Sequence, residues 1–226
     1  MKYLKPLLLL FIFSPAITSA QNKELINSGE LIKKCAALYD SSKYKEALPL
    51  LEKVNRSDTN YVWSLYEKSI DLEADHQDSA AIKCCQEALS RNEQREYEPD
   101  LYNTYGNVLN DLGQYEKAIR VFDLAIAKYP AYSLLYFNKG IVYMAQKRPA
   151  DAEPWFQKAL MINPYMYSAH YQLGLAALQQ GKIVPAFLSF IGYLLVNPSG
   201  KYFSNSISYL SQISKGTDEI LDYKSK

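Results

Sequence analysis

The chain has 226 residues, a formal net charge of +1 and 22% charged residues, and a chain of this length can bury a real core. The near-zero net charge lacks the strongly basic face of nucleic-acid-binding proteins, and no run of basic residues would hold an anionic membrane. A hydrophobic content of 48% excludes wholesale disorder. Tyrosine is abundant, at 20 residues, and its large ring with a polar tip suits both helix packing and binding surfaces.

The first twenty residues have the pattern of a secretory signal peptide. Lys2 and Lys5 form a short positive region, and the apolar run 7–13 that follows is too short to span a bilayer. Small residues end at Ala20, where signal peptidase is expected to cut. The pattern predicts a signal peptide over 1–20 and cleavage after Ala20.

This prediction has consequences for where the mature protein works. We expect it to be secreted or periplasmic, with no stable membrane insertion after cleavage. No cysteine lies at the cleavage point, which disfavours a lipid anchor, while an uncleaved N-terminal anchor is the alternative. Residues 21–27 are expected to form a linker.

Four residue types then recur with a single period of 34. They are Gly106, Gly140 and Gly174; Ala118, Ala152 and Ala186; Phe122, Phe156 and Phe190; and Pro130, Pro164 and Pro198. Apolar residues at three- and four-residue spacing predict two amphipathic helices per unit. We expect the glycine of the first helix to face the alanine of the second, phenylalanine to fill the space towards the next unit, and proline to end the second helix.

The same register continues towards the N-terminus with other residue types. It is carried by Leu31, Cys35, Leu38, Ala47, Leu51 and Val54, and then by Leu65, Ser69, Leu72, Ala81, Cys85 and Ala88. Ala81 and Ala118 are 37 residues apart, so three residues are inserted, and the charged stretch 91–98 accommodates them. Five units are predicted within 28–200, at 28–61, 62–95, 99–132, 133–166 and 167–200.

One more amphipathic helix is predicted in the C-terminal segment 201–226. Its apolar residues would be Tyr202, Phe203, Ile207, Leu210 and Ile213, and Gly216 would end it before a short tail. A solenoid needs such a helix to cover its last apolar face.

In each of the last three units the pattern runs bulky, small and bulky on one helix, then Ala and Phe on the next, then Pro. In this order the sequence resembles the tetratricopeptide repeat family. The resemblance covers about three quarters of the chain. It implies an all-α, right-handed superhelical solenoid of about five helix-turn-helix repeats with a C-terminal capping helix. It also implies that the first helix of each unit lines a concave face.

The sequence contains no motif with credible catalytic spacing, so no enzymatic activity, metal or cofactor is expected. His170 occupies a packing position and His76 an exposed turn. Cys35 and Cys85 occupy buried positions, and Cys84, next to Cys85 on a helix, is expected to be the most accessible thiol. Asp and Glu are interpreted as solvated residues of exposed helix faces.

Removing the packing positions leaves the side chains that should line the concave face. The candidate partner-binding residues are Tyr66, Asn103, Asn107, Phe137, Asn138, Tyr171, Gln172 and Leu175. Some tetratricopeptide domains hold a terminal carboxylate with Lys, Arg and Asn at such positions, but the cations are missing here. Amides donate and accept hydrogen bonds, which suits the main chain of an extended segment. The pattern therefore predicts a neutral peptide, bound weakly and with little dependence on salt.

The predicted function is a non-catalytic scaffold or adaptor of the cell envelope that binds a peptide or partner protein and no nucleic acid. Two alternatives remain open from the sequence. Exposed aromatic and amide side chains also suit a carbohydrate-binding accessory protein, and the chain could be a regulatory subunit of an envelope enzyme.

Overall fold

The computed structural model describes residues 27–91 and 95–224, with side chains up to residue 216. The predicted signal peptide lies outside the described residues. Within them the chain forms eleven α-helices, one 3₁₀ helix over Arg95–Tyr97 and no strand. The helices are α1 (Ser28–Asp40), α2 (Tyr44–Leu51), α3 (Tyr61–Ala74), α4 (Asp78–Ser90), α5 (Glu98–Asp111), α6 (Tyr115–Lys128), α7 (Ser133–Ala145), α8 (Pro149–Ile162), α9 (Tyr167–Gln179), α10 (Ile183–Val196) and α11 (Phe203–Lys224).

The first ten helices form five successive hairpins. Each odd-numbered helix packs on the even-numbered helix that follows it, and each hairpin packs on the next. A single hairpin cannot bury its apolar face, so the stack supplies the core. The predicted all-α solenoid with a capping helix is confirmed. No described helix is long and apolar enough to cross a bilayer.

The turn inside every hairpin has the same backbone structure. One residue in each turn has a positive φ, and these residues are Ser42, His76, Gly113, Lys147 and Gly181. In the fourth hairpin, Arg148 N donates to Tyr143 O and Lys147 N donates to Met144 O. The equivalent two bonds close each of the other four turns. This is the Schellman arrangement, which satisfies the last carbonyls of the first helix and usually requires glycine. Only two of the five turns here have it.

The repeated glycines face the phenylalanine ring of their own hairpin. A Cβ added at Gly140 would lie 2.6 Å from Cε1 of Phe156, and one at Gly174 would lie 2.8 Å from Cε1 of Phe190. The nearest neighbour of each glycine is therefore this ring rather than the predicted alanine. The rings also pack towards the next unit as predicted, since Phe156 packs with Ala176. The ring lies directly over the glycine because only a residue without a side chain leaves room for it.

The first two hairpins keep this contact with other pairs of residues. The glycine position holds Cys35 in the first and Ser69 in the second, and the phenylalanine position holds Leu51 and Cys85. All four residues are buried, and the Ser69 hydroxyl donates to Tyr66 O at 2.7 Å. A larger residue on the first helix is thus matched by a smaller one on the second, which preserves the packed volume.

The predictions for the repeated prolines and for His170 are confirmed. α6, α8 and α10 each end two residues before a repeated proline. The Tyr136 hydroxyl donates to Pro130 O at 3.1 Å, and His170 Nε2 lies 2.9 Å from Pro164 O, so the histidine takes over the packing role of the tyrosine. α8 begins at Pro149, and Pro154 lies inside the helix, on its exposed side.

α11 covers the open end of the fifth hairpin. Tyr209 stacks on Phe190 with ring centroids 5.0 Å apart, and Leu210 and Ile213 pack on the same buried cluster. The helix continues through Gly216 to Lys224, so the prediction that Gly216 ends it was wrong. A Cβ added at Gly216 would meet no other atom within 4 Å, so no packing requirement selects glycine there.

Candidate functional site

The candidate site is the inner surface of the solenoid. Successive odd-numbered helices contact one another along the stack, whereas no comparable contacts join successive even-numbered helices in the described ranges. The odd-numbered helices therefore line the concave side, as the family resemblance implied. We call the surface formed by α3, α5, α7 and α9 the concave groove.

Amide side chains form a connected row in the middle of the groove. Asn138 Nδ2 on α7 donates to Asn103 Oδ1 on α5 at 2.6 Å. Asn107, one turn further along α5, faces Glu73 on α3 and lowers the pKa of that carboxyl. All three amides are half-buried. The structure thus brings together three of the predicted residues, and it orients them through contacts between neighbouring helices.

Aromatic side chains flank this row. Tyr66 stacks on Tyr97 of the inserted segment with centroids 5.6 Å apart, and Trp63 stacks on the same ring at 6.0 Å. Phe137 packs against the ring of Phe156 at 5.7 Å. The insertion between the second and third hairpins therefore extends the groove with an aromatic wall. The sequence placed the insertion correctly but did not indicate what its tyrosine contacts.

The α9 end of the groove is less open than predicted. Tyr171 is only 5% exposed, because Tyr202, just before α11, stacks on it with centroids 4.1 Å apart. Leu175 packs partly buried in the same cluster, and Gln172 is half-buried. The expected exposure of Tyr171 is therefore not found, since the capping segment occupies the space beside it.

Acidic side chains in the N-terminal part of the groove are buried. Glu67 and Asp71 on α3 are 7% and 1% exposed, and Glu73 is half-buried. The interpretation of the carboxylates as solvated was wrong for these residues. Asp71 occupies the position that holds Val108 in the third hairpin, which is a sequence signal that could have revealed its burial.

The burial of these carboxyl groups changes their protonation. Burial, with the nearby charge of Glu67, raises the pKa of Asp71 to about 7. Burial and the charge of Asp111 raise the pKa of Glu73 to about 7, although Asn107 opposes this shift. Asp71 Oδ1 is buried without a hydrogen-bond partner. Trp63 Nε1 donates to Glu67 at 3.0 Å, and burial still raises the pKa of that carboxyl. This part of the groove is acidic, and few hydrogen bonds stabilise the negative charge of its carboxylates.

The three cysteines are free thiols in the core. Burial raises the pKa of Cys35 to about 11 and that of Cys85 to about 12, so neither forms a thiolate readily. Cys84 is also buried, which corrects the expectation that it is accessible. Its neighbour Lys83 is the residue that points outward. Among the described residues, no group of three His, Cys, Asp or Glu side chains is arranged to hold a metal ion.

Comparison with known sequences identifies the type of repeat. Residues 103–167 match the family model described as tetratricopeptide repeat. A 127-residue part of the chain is 23% identical to anaphase-promoting complex subunit 3 of Schizosaccharomyces pombe. The match covers 56% of this chain and only 19% of that protein, so the chain spans about a fifth of this relative's length.

Solved structures share the fold at low sequence identity. PilF of Pseudomonas aeruginosa is 19% identical, with a TM-score of 0.71 over 88% of this chain and 87% of that chain. A thermophilic TPR protein of Thermus thermophilus is 20% identical, with a TM-score of 0.67 over 81% of this chain and 98% of that chain. MamA of Desulfovibrio magneticus is 21% identical, with a TM-score of 0.60 over 78% of this chain and 98% of that chain.

These likenesses establish a common architecture and carry no information on ligands. The matched segment covers the third and fourth hairpins, where the glycine, alanine, phenylalanine and proline positions are all filled. The other hairpins repeat their helix pairs and turns. The third and fourth hairpins are thus similar in sequence to tetratricopeptide repeats, and the chain as a whole shares the helical solenoid of the solved structures.

Proposed function

We propose that this protein is a non-catalytic adaptor that binds an extended segment of a partner protein in the concave groove, along α3, α5 and α7. The observation that supports the proposal is the row of oriented amides, with Asn138 bonded to Asn103, between the rings of Tyr66 and Phe137. Each amide keeps further donor or acceptor capacity for a main chain. The rings supply apolar contact beside it.

The groove favours a segment that carries positive charge. Glu67 and Glu73 lie on α3 and Asp100 on α5, and Asp100 accepts a hydrogen bond from Tyr132. A lysine or arginine of the partner would offset the mutual repulsion of the carboxylates and could lie over Tyr66 or Trp63. The amides alone predicted a neutral peptide. With the carboxylates included, we propose a basic peptide instead. Because Tyr171 is covered, we assign no ligand contact to α9.

The protein is also proposed to act outside the cytoplasm, in the periplasm or beyond. The support is the pattern of the first twenty residues: the positive region, the short apolar run and the small residues before Gln21. The partner would then be a protein of the cell envelope.

A crosslinking pull-down from the native envelope fraction, followed by calorimetry, tests the groove. Changing Asn103, Asn107 and Asn138 together to alanine removes the row of amides and should weaken binding about tenfold or more. Gln157→Ala, on the exposed side of α8, is the control and should leave the affinity unchanged. Wild-type binding should weaken as salt increases, since exposed ion pairs are screened.

Equal affinity of the triple variant and the wild type would place the binding site elsewhere on the solenoid. Binding that is lost in the triple variant but insensitive to salt would restore the neutral ligand. A variant in which Glu67 and Glu73 are both glutamine separates the contribution of charge from that of the amides, because it keeps the side-chain shape and removes the charge.

A further inference from the structure

The second helix of the fifth hairpin has an exposed apolar face. α10 contains no charged residue along its 14 positions. Its inner side packs through Ala186, Phe190 and Tyr193, all fully buried. On the opposite side Val184 is 67% and Leu188 is 62% exposed. This outer face continues to Leu195 at the end of the helix, which is 80% exposed, so a stripe of aliphatic side chains faces solvent.

The stripe is not a property of the repeat. The equivalent outer face of α6 carries exposed charges, namely Glu116, Lys117, Arg120, Asp123 and Lys128. The α8 positions equivalent to Val184, Leu188 and Leu195 carry Ala150, Pro154 and Met161, which are uncharged, but only α10 has an aliphatic side chain of Val or Leu at all three. Exposed aliphatic residues occur singly on soluble proteins, but a contiguous stripe marks an interaction surface. The core does not require the stripe, because α10 already buries its inner face.

The sequence segment that contains the stripe has charges of one sign. Residues 154–216 contain no Asp or Glu, and their only charged residues are Lys158, Lys182, Lys201 and Lys215. Lys182 is paired with Glu153 at 2.7 Å, which leaves three lysines without a carboxylate from this segment. The chain as a whole is nearly neutral, whereas residues 154–216 have a net positive charge. The part of the chain before them is more acidic.

We propose that the outer face of α10 docks on an anionic lipid surface. The aliphatic stripe would enter the boundary of the acyl chains while the lysines meet anionic headgroups. The exposed Tyr165 and Phe203 lie in the turn before α9 and at the start of α11, and aromatic side chains are favoured at such interfaces. At 14 residues α10 is too short to span a bilayer, so the helix lies on the membrane rather than across it.

Charge complementarity favours lipid over a second copy of the chain. Two copies meeting through this face would bring lysines together with no acidic residue of the same segment to compensate them. An anionic headgroup supplies the missing charge. The face lies on an even-numbered helix, outside the concave groove, so a docked protein would keep the groove open to a partner. The proposal therefore stands whether or not the groove binds the segment proposed above.

Vesicle flotation with the full chain tests this proposal. The vesicles are phosphatidylcholine alone, or phosphatidylcholine mixed with phosphatidylglycerol. The variant Val184→Glu with Leu188→Glu should lower the partition coefficient on the mixed vesicles at least about tenfold, because each carboxylate opposes burial of the stripe. Leu124→Glu on α6 is the matched control, since Leu124 is also 62% exposed, and it should float like the wild type.

A charge variant tests the headgroup contact. Lys201→Glu should weaken binding to the mixed vesicles about tenfold and leave binding to phosphatidylcholine unchanged. Equal flotation of the wild type and the double variant would overturn the proposal. So would a concentration-dependent dimer of the wild type that the double variant abolishes while neither protein floats, because the face would then bind a second copy. All the substituted side chains are exposed, and unchanged thermal melts would show that the variants are folded.

Discussion

Close packing at single residues stabilises the fold, and Gly140 is one of the positions where it is tight. The ring of Phe156 occupies the space that any side chain at Gly140 would need. Gly140→Leu should lower the free energy of unfolding by about 3 kcal/mol, at the upper end of overpacking effects. Thermal and urea melts measure the change. Gly216→Leu makes the same substitution in a helix with open space around it and should be neutral or stabilising.

Asn138 provides the comparison on the groove side of the same helix. Asn138→Ala removes the hydrogen bond to Asn103 and leaves the core intact, so it should lower the free energy of unfolding by only about 1 kcal/mol. A larger loss for Asn138→Ala than for Gly140→Leu would show that the packing and groove sides of α7 are assigned incorrectly.

The hairpin turns store strain at residues other than glycine. Lys147 has a φ of 58°, in the left-handed region that costs a residue with a Cβ about 1 kcal/mol or more. Lys147→Gly should therefore raise the free energy of unfolding by about 1 kcal/mol, because the strain relieved is larger than the entropy that glycine adds to the unfolded chain. Lys147→Ala keeps the strain and removes only the exposed amine, so it should not stabilise. Equal effects of the two changes in urea melts would refute the strain explanation.

Asp71 predicts how stability depends on pH. Its pKa is about 7 in the folded protein and near 3.8 for an ordinary aspartate, so the folded state binds more protons than the unfolded state between these values. The contribution to stability is full below about pH 4 and is lost as pH rises through about 7. Asp71→Val, which installs the residue of the third hairpin at this position, should raise the free energy of unfolding at pH 8 by about 1–3 kcal/mol.

The pH profile distinguishes this effect from a simple gain in packing. Asp71→Val should flatten the decline of stability between pH 4 and 8, whereas a gain from packing alone would shift the whole profile without changing its slope. Glu116→Gln, at an exposed position on α6, is the control and should retain the wild-type slope.

At the scale of elements, the fifth hairpin depends on the cap. Tyr202 stacks on Tyr171, and its backbone N–H donates to the hydroxyl of Tyr193 at 3.0 Å. Tyr202→Ala would uncover Tyr171 and should lower the free energy of unfolding by about 2–3 kcal/mol. Tyr165→Ala, which changes a tyrosine that is 78% exposed, should have little effect in the same urea melts. Similar losses for both would show that α11 does not close the stack.

The hairpins differ in how far each can be altered. The first two tolerate other residue types in the glycine and phenylalanine positions, because Cys35 with Leu51 and Ser69 with Cys85 fill comparable space. What each hairpin requires is a matched pair rather than particular residues. This explains why the family pattern is faint at the N-terminal end although the same helix pair forms there.

At the scale of the whole molecule, export is the prediction that bears most on function. N-terminal sequencing of the protein from its native host should find Gln21 as the first residue, because the small residues before it suit signal peptidase. An intact Met1 on protein recovered from the cytoplasm would contradict the proposed role in the cell envelope. It would not affect the proposal that the groove binds a partner.

The two proposed surfaces lie on opposite sides of the solenoid. The groove is on the odd-numbered helices and has its acidic residues on α3 and α5, whereas the apolar stripe is on α10 in the segment without acidic residues. A protein built in this way would hold a basic segment of a partner near an anionic membrane surface. The calorimetry described above tests the groove, and the vesicle flotation tests the face of α10.

The sequence by itself determined the helical solenoid. The same residue types recur every 34 residues because the same contacts recur within and between neighbouring hairpins. It also located the turns, the prolines, the inserted residues and the amide row. Only the tertiary structure decided that Tyr171 is covered, that Asp71 is buried and that Asn138 bonds Asn103. Each of these depends on a residue about 30 or more positions away or on which helix covers a given face, and helical periodicity specifies which side of a helix is apolar without specifying what lies against it.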